Sequence, residues 1–307
     1  MIKTLTLIGF GEAGGILGQD LAAAGIEVFT YDRLHDDPKK RQVLLDKGRH
    51  CGVSVCDSAA LALSRGEWVI SAVTADSALR VAQDAAPLML KGQLFIDINS
   101  VAPVTKRMAE VAMAEYGIDY VDAAVMAPVP PQRLLTPILL GGTRSDEVCS
   151  QLNALGMNTR VVANTVGVAS AIKMCRSIMI KGLEALTTEC LSAARQYDAQ
   201  DEVLTSLHKS FPSMGWNSDL PHYLISRVAE HGLRRSEEMK EVAKTVSDVG
   251  VAAYMSRAIV SSQRGLIDSM AEADIEYSTL EPFSWSVLVD TLYGSSAAKQ
   301  SEAPKKG

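Results

Sequence analysis

The chain contains five cysteines (Cys51, Cys56, Cys149, Cys175, Cys190), none in a CxxC pair and none beside a histidine at metal-ligand spacing. That scarcity excludes zinc-ribbon and thioredoxin-type chemistry, predicts no metal site, and points to unpaired core thiols in a reducing cytoplasm. His222 and His231, with Glu237, fall in no ligand spacing and read as surface or capping residues. No apolar run reaches the roughly 18 residues that a membrane-spanning helix needs. The opening stretch MIKTLTLIGFGEAGG has one lysine and a short apolar run broken by Gly9, Gly11 and Glu12, which argues against a secretory leader. There is no surplus of positive charge either: a formal net charge of -6 gives no bulk attraction for nucleic acid or anionic membranes.

What is present is a chain of 307 residues, 47% hydrophobic and 21% charged, which is enough for two domains and a large core. The first half alternates between short apolar runs and helical patterns. Leu5 to Gly9 reads as a strand that ends in Gly9-Phe10-Gly11-Glu12-Ala13-Gly14. A helix from Ile16 to Ala24 follows, then Gly25, then a second strand from Glu27 to Tyr31 that ends in Asp32. A GxGxxG in this context is a dinucleotide-binding fingerprint. Gly9 permits the tight turn, Gly11 admits a pyrophosphate to the backbone, Gly14 lets helix and sheet pack, and the phosphates sit on the helix N-terminus. Asp32 is placed for the ribose hydroxyls and favours NAD over NADP. Arg33 beside it can pair with a 2′-phosphate or stack on adenine, so NADP is not excluded.

The alternation continues. Asp57 or Ser58 caps a short helix, Trp68 to Val73 is a buried strand, and Asp76 or Ser77 caps a helix to Ala86. Leu94 to Ile98 is a strand, Pro103 opens a helix to Tyr116, and Ile118 to Val125 is another strand. The segment DAAVMAPVPPQRLLTPILLGG follows as strand, proline-punctuated loop and strand, and Arg160 to Ala163 is the last strand. This predicts a doubly wound parallel sheet of the Rossmann type, with ligands beyond the carboxyl ends of its strands, where Val73, Thr74, Asn99 and Ser100 fall. After Gly167 every pattern is helical: a long helix to about Tyr197, then Val203 to Lys209, Pro221 to Glu230, Ser236 to Val249 and Ala252 to Met270. The expected division is a nucleotide domain over 1–164, an all-helical domain over 165–293, and a mobile tail over 294–307.

The long helix TVGVASAIKMCRSIMIKGLEALTTE carries Lys173, Arg176, Ser177, Lys181, Glu184 and Thr188 in one sector, interrupted only by Ile180. Ile172, Met174, Cys175, Ile178, Met179, Leu183 and Leu186 surround that sector and are expected to pack. Because burying unpaired charge is costly, the stripe should face water or a polar cavity. Trp216 and Trp285 read as core or dimer contacts.

Over roughly the first 190 residues the motifs resemble, in order, those of the β-hydroxyacid dehydrogenases, the family of 3-hydroxyisobutyrate and 6-phosphogluconate dehydrogenases. IGFGEAGGILGQDLAAAG resembles the family's dinucleotide fingerprint, DINSVAP its DxSTxxP segment, and GVASAIKMCRS its GxxxxxKxxxN helix. DAAVMAP stands where the family has DAPVSGG, and HGLRRSEEMKEVA resembles the branch with a phosphogluconate-dehydrogenase-like C-terminal domain. The resemblance implies a nicotinamide-dependent oxidation of a small hydroxy acid, a sugar acid or a relative of one, with Lys173 as the proton-transferring residue. It also implies that Asn99 and Ser100 orient substrate and nicotinamide, and that relatives dimerise through the second domain, where Val249 to Ile267 is largely apolar. The substrate half departs from the pattern. Met126-Ala127-Pro128 replaces Ser-Gly-Gly, Ser177 replaces the asparagine after the lysine, and the family's later Lys-Asp pair falls on Glu237-Glu238. Arg176, Lys181, Arg234 or Arg235 is then left to hold an anionic substrate, and Arg176 and Lys181 would depress the Lys173 pKa. Imine reduction on the same fold and a non-catalytic NAD-binding sensor are the rival readings.

Overall fold

The computed structural model describes residues 2–294, so the expected tail lies outside the described residues apart from Gly294. Contacts divide the chain into two compact units that meet between Cys175 and Arg176. The division falls inside the long helix, so the helix's first turns are counted with the first unit.

The first unit runs β1 (Thr4–Ile8), α1 (Glu12–Ala23), β2 (Glu27–Tyr31), α2 (Pro38–Cys51), β3 (Ser54–Val55), α3 (Ala59–Leu63), β4 (Trp68–Ser71), α4 (Ala78–Ala85) and β5 (Leu94–Asp97). It continues with α5 (Pro103–Ala114), β6 (Asp119–Val125), α6 (Val129–Gln132), β7 (Pro137–Gly141), α7 (Ser145–Ala154), β8 (Asn158–Ala163) and the start of α8 (Val168–Gln196). The eight strands form one sheet in the order β3-β2-β1-β4-β5-β6-β7-β8. The chain therefore reverses its direction of travel across the sheet between β1 and β4, the switch point at which open α/β sheets bind ligands.

All neighbouring strands are parallel except β6 and β7. The reason is local: the proline-bearing link between them is too short for a helical crossover, so β7 returns beside β6 as a hairpin. The central strands are buried on both faces, as parallel sheets require: Leu5, Leu7, Ile70, Leu94 and Ile96 belong to one core cluster, and Ile8, Val69 and Phe95 to another. Among the elements that periodicity in the sequence does not show are α2, β3 and α7. The helix α2 is mostly polar and is fixed by its ends: Asp37 accepts from the Lys39 amide at 2.9 Å, Pro38 opens it, and Gly52 closes it in the left-handed region.

The second unit holds the remainder of α8 with α9 (Gln200–Ser210), α10 (Leu220–Asp248), α11 (Tyr254–Glu272) and α12 (Trp285–Tyr293). Val228, Ala229, Leu266, Met270 and Leu288 make one core cluster, and Leu191, Ile225, Trp285 and Val289 another. Two expected helices, Pro221 to Glu230 and Ser236 to Val249, prove to be one. Gly232, in the gap between them, sits where α11 approaches closely: a Cβ there would lie 2.5 Å from the Gln263 carbonyl oxygen. An interior glycine costs about 0.5–1 kcal/mol of helix stability, and here it admits a second helix.

The polar stripe of α8 also differs from expectation. Lys181, Glu184 and Thr188 are buried inside the second unit, whereas Met179 and Leu186, expected to pack, are 74% and 56% exposed. The buried charges are tolerated because each is met. Arg235 donates to both carboxylate oxygens of Glu184 at 2.7 and 2.6 Å, Gln263 Nε2 donates to Glu184 at 3.2 Å, and Lys181 pairs with Glu238 at 2.6 Å.

Candidate active site

The carboxyl ends of β1, β4, β5 and β6 bring most of the expected site residues to one edge of the first unit. After β1, the glycine loop turns through Gly9 at φ +93°, where a Cβ would meet the Ala72 carbonyl oxygen at 2.4 Å. A Cβ at Gly14 would lie 2.3 Å from the Gly9 carbonyl oxygen, so neither position accepts a side chain. At Gly11 a Cβ would meet nothing within 4 Å, which leaves open space in front of the N-terminus of α1. Two close-packed glycines behind an open one form a cradle that a diphosphate fits, with Glu12 and Ala13 contributing the first amides of the helix.

Asp32, just past β2, ties this loop to the next element: its Oδ2 accepts from the Phe10 amide at 2.7 Å and its Oδ1 from the Leu34 amide at 2.9 Å. A carboxylate has about four acceptor positions, so two remain for ribose hydroxyls. Arg33 is exposed beside it. Thr74, past β4, turns its hydroxyl to Asp76 and Ser77, and Val73 donates its amide to Asn99 Oδ1 at 2.7 Å. Asn99 also donates Nδ2 to Ser71 Oγ at 2.9 Å and its own amide to Asp97 at 2.8 Å. Its side chain thus lashes the β4 loop to the end of β5.

Ser100, half-buried, accepts a hydrogen bond from Lys173 Nζ at 2.5 Å. These two expected residues, 73 positions apart in sequence, are in direct contact. Met126 and Ala127, half-buried, and exposed Pro128 continue from the end of β6. Arg176, exposed, and Ser177, half-buried, belong to the second unit with Lys181. There the Lys181 ammonium is held by Glu238, Arg234 also pairs with Glu238 at 2.6 Å, Arg235 is spent on Glu184, and Glu237 pairs with Lys240. Among these cations only Arg176 is both exposed and outside the ion pairs just described.

The sequence reading missed what holds this edge in place. Asp97 and Asp122 stand opposite one another in the register of β5 and β6, both essentially without solvent contact. Lys106 of α5, fully buried, lies between them, 3.0 Å from Asp97 Oδ1 and 3.5 Å from Asp122 Oδ1, and also donates to the Asp97 carbonyl oxygen at 2.6 Å. One ammonium cannot balance two carboxylates, and hydrogen bonds make up the difference. Tyr120 donates its hydroxyl to Asp97 at 2.6 Å, while Asp122 Oδ2 accepts from the Gly167 amide, the Ser170 amide and the Ser170 hydroxyl at 3.1, 3.0 and 2.9 Å. Burial, with Asp97 and Asp122 nearby, pushes the Tyr120 phenol well above its usual pKa and keeps it a donor. The signal was present in DINSVAP and DAAVMAP, each of which opens on the aspartate concerned, but the buried lysine between them reads from sequence as a helix-surface residue.

Two of the thiols expected in the core, Cys175 and Cys190, are exposed. Among the described residues no cluster of His, Cys, Asp and Glu is arranged to hold a metal, and no helix is long and apolar enough to cross a membrane.

Residues 4–167 match the NAD binding domain of 6-phosphogluconate dehydrogenase, and residues 194–266 match a domain of unknown function (DUF1932). A conserved hypothetical protein from Sinorhizobium meliloti has a solved structure similar to this one, with 37% identity, a TM-score of 0.79, and coverage of 95% of this chain and 96% of that one. The 3-hydroxyisobutyrate dehydrogenase of Pseudomonas aeruginosa is 25% identical over 90% of this chain and 95% of its own length. A solved 3-hydroxyisobutyrate dehydrogenase from Mycobacterium tuberculosis shares the fold at 17% identity and a TM-score of 0.71, covering 95% of this chain and 100% of that one.

Proposed function

The chain belongs to the family built on the NAD binding domain of 6-phosphogluconate dehydrogenase, and from that premise we propose that it is an NAD-dependent dehydrogenase of a small hydroxy acid, a sugar acid or a related polyol acid. The observation that carries this reading is the contact between Lys173 Nζ and Ser100 Oγ at the ligand edge of a dinucleotide-binding sheet. Bound nicotinamide supplies the hydride acceptor at C4. In the oxidising direction a neutral Lys173 takes the substrate hydroxyl proton as the electron pair of the C–H bond departs with the hydride, leaving a carbonyl. In reduction the Lys173 ammonium returns that proton. Ser100 holds the hydroxyl in line with Nζ, Asn99 fixes the loop beneath it, and Met126 to Pro128 border the substrate. Arg176, with Ser177, takes the substrate carboxylate; Lys181 is left out of that set because Glu238 engages it.

The test is the appearance of NADH absorbance across a panel of hydroxy and sugar acids, and turnover of at least one with loss of activity in Lys173→Ala is the expected result. Reduction of cyclic imines without oxidation of any hydroxy acid would move the protein to imine chemistry, against which the retained lysine argues. Tight NAD binding with neither activity would make it a sensor. In this reading the protein works as a cytoplasmic homodimer, supported by its unpaired thiols and by the apolar residues that its second unit exposes.

A further inference from the structure

Lys47, near the end of α2, reaches the nucleotide loop from the side. Its Nζ donates to the Phe10 carbonyl oxygen at 2.7 Å and to the Gly11 carbonyl oxygen at 2.8 Å, and it lies 4.8 Å from the centre of the Phe10 ring. Space for it comes from Gly15, where a Cβ would fall 2.6 Å from Nζ and 2.7 Å from Cε. Gly15 follows directly on the GxGxxG and has no part in that fingerprint, and its missing side chain is filled by the lysine. An ammonium carries three donors, so the two carbonyls leave one for an incoming anion. The loop otherwise carries carboxylates, Glu12 in the first turn of α1 and Asp32 across from Phe10, both of which repel a diphosphate.

We propose that Lys47 is a cofactor-binding residue, which fixes the carbonyls of the glycine loop and sets its positive charge against the cofactor's diphosphate. The proposal rests on the nucleotide-domain assignment alone and stands whatever the substrate proves to be. A lysine that only braced the loop would serve stability. One that faces the diphosphate adds a charge-assisted contact whose strength falls with salt and depends on the ligand carrying phosphates.

The experiment titrates ADP-ribose and NADH into the full chain, with adenosine as the uncharged control, at low and high ionic strength. Lys47→Met is expected to weaken ADP-ribose and NADH by about tenfold, to flatten their salt dependence, and to leave adenosine unchanged, while Lys47→Arg restores most of the loss. Gly15→Ala, which keeps the lysine but occupies its space, should weaken the same two ligands and have no further effect in the Lys47→Met background. Equal losses for adenosine and ADP-ribose, an unchanged salt dependence, or additive effects of the two substitutions would overturn the proposal. If Lys47→Met does not fold, the Gly15→Ala titration and its Lys47→Arg counterpart decide the question, since both retain a cation.

Discussion

Asp122 holds Ser170 twice, through its amide and through its hydroxyl, and Ser170 stands one helical turn before Lys173. A buried carboxylate in the sheet thereby fixes the turn of α8 that carries Lys173, and Lys106 joins that carboxylate to Asp97, from which the Asn99–Ser100 loop departs. The two partners of the Lys173–Ser100 contact are thus anchored to a single charged cluster.

From that cluster follows an expectation for Asp122→Asn. The amide retains the shape but removes one of the two charges facing Lys106, and its NH₂ group can no longer accept from Ser170 where it replaces Oδ2. Breaking a buried pair costs about 3–5 kcal/mol when a partner is removed outright, and the near-isosteric change should cost less while loosening the helix turn. We expect a lower unfolding midpoint together with a kcat reduced at least about tenfold, with NAD affinity unchanged because the diphosphate is held elsewhere. Fluorescence titration of NADH beside steady-state kinetics separates the two effects. A full kcat in a folded Asp122→Asn enzyme would show that the cluster is only structural.

Lys173→Ala should leave the fold and NAD affinity as they are. Turnover should fall by about 10²-fold to 10⁴-fold, the usual contribution of one general acid or base. Lys173 is half-buried and ends on Ser100, so the cavity left by truncation is small. Retained activity would remove the lysine mechanism and favour the imine reading.

How much of this was legible in sequence depends on how local each feature is. The β1–loop–α1–β2 unit could be read because its glycines, strand and Asp32 lie within one stretch and each has its own backbone requirement. Ser100 and Lys173 were found as separate motifs, although nothing in either predicts their contact. Lys106 was illegible because its aspartates come from other elements, and a helical wheel drawn for α5 alone assigns a charged residue to water. The same limit inverted the stripe of α8: a wheel cannot show that Arg235 and Glu238 wait on α10 to neutralise Glu184 and Lys181. The division of α10 into two expected helices failed for the same reason, since the packing of α11 against Gly232 lies outside what α10 alone shows.

Asp32 is the residue proposed to set the cofactor preference. In the proposed binding mode its carboxylate would meet the adenosine ribose and face the phosphate of NADP, so NAD should bind at least about tenfold tighter, a difference of roughly 1.4 kcal/mol. Because Asp32 also accepts from the Phe10 and Leu34 amides, Asp32→Ala should weaken both cofactors while narrowing the ratio between them. Parallel titrations with NADH and NADPH check this, and equal affinities in the unsubstituted protein would mean that Arg33 offsets Asp32.

The proposed homodimer would cover apolar side chains that the second unit leaves exposed. Met179 and Leu186 lie seven residues apart on α8, with Leu183 and Cys190 offset by four from each, the spacing that lines one seam of a helix. At the α10–α11 turn Val249, Val251, Tyr254 and Met255 are also exposed. The apolar surplus expected over Val249 to Ile267 is therefore confined to the beginning of that segment, since Ile259 and Leu266 are buried. Side chains of this kind gain about 25 cal/mol for each Å² removed from water. Sedimentation equilibrium at micromolar concentration should show a dimer. Met179→Glu combined with Leu186→Glu should shift it to monomer, and because both residues already face solvent the unfolding midpoint of each subunit should change little. A wild-type monomer at that concentration would refute the assembly, and a dimer unaffected by the two glutamates would place the contact at the α10–α11 turn.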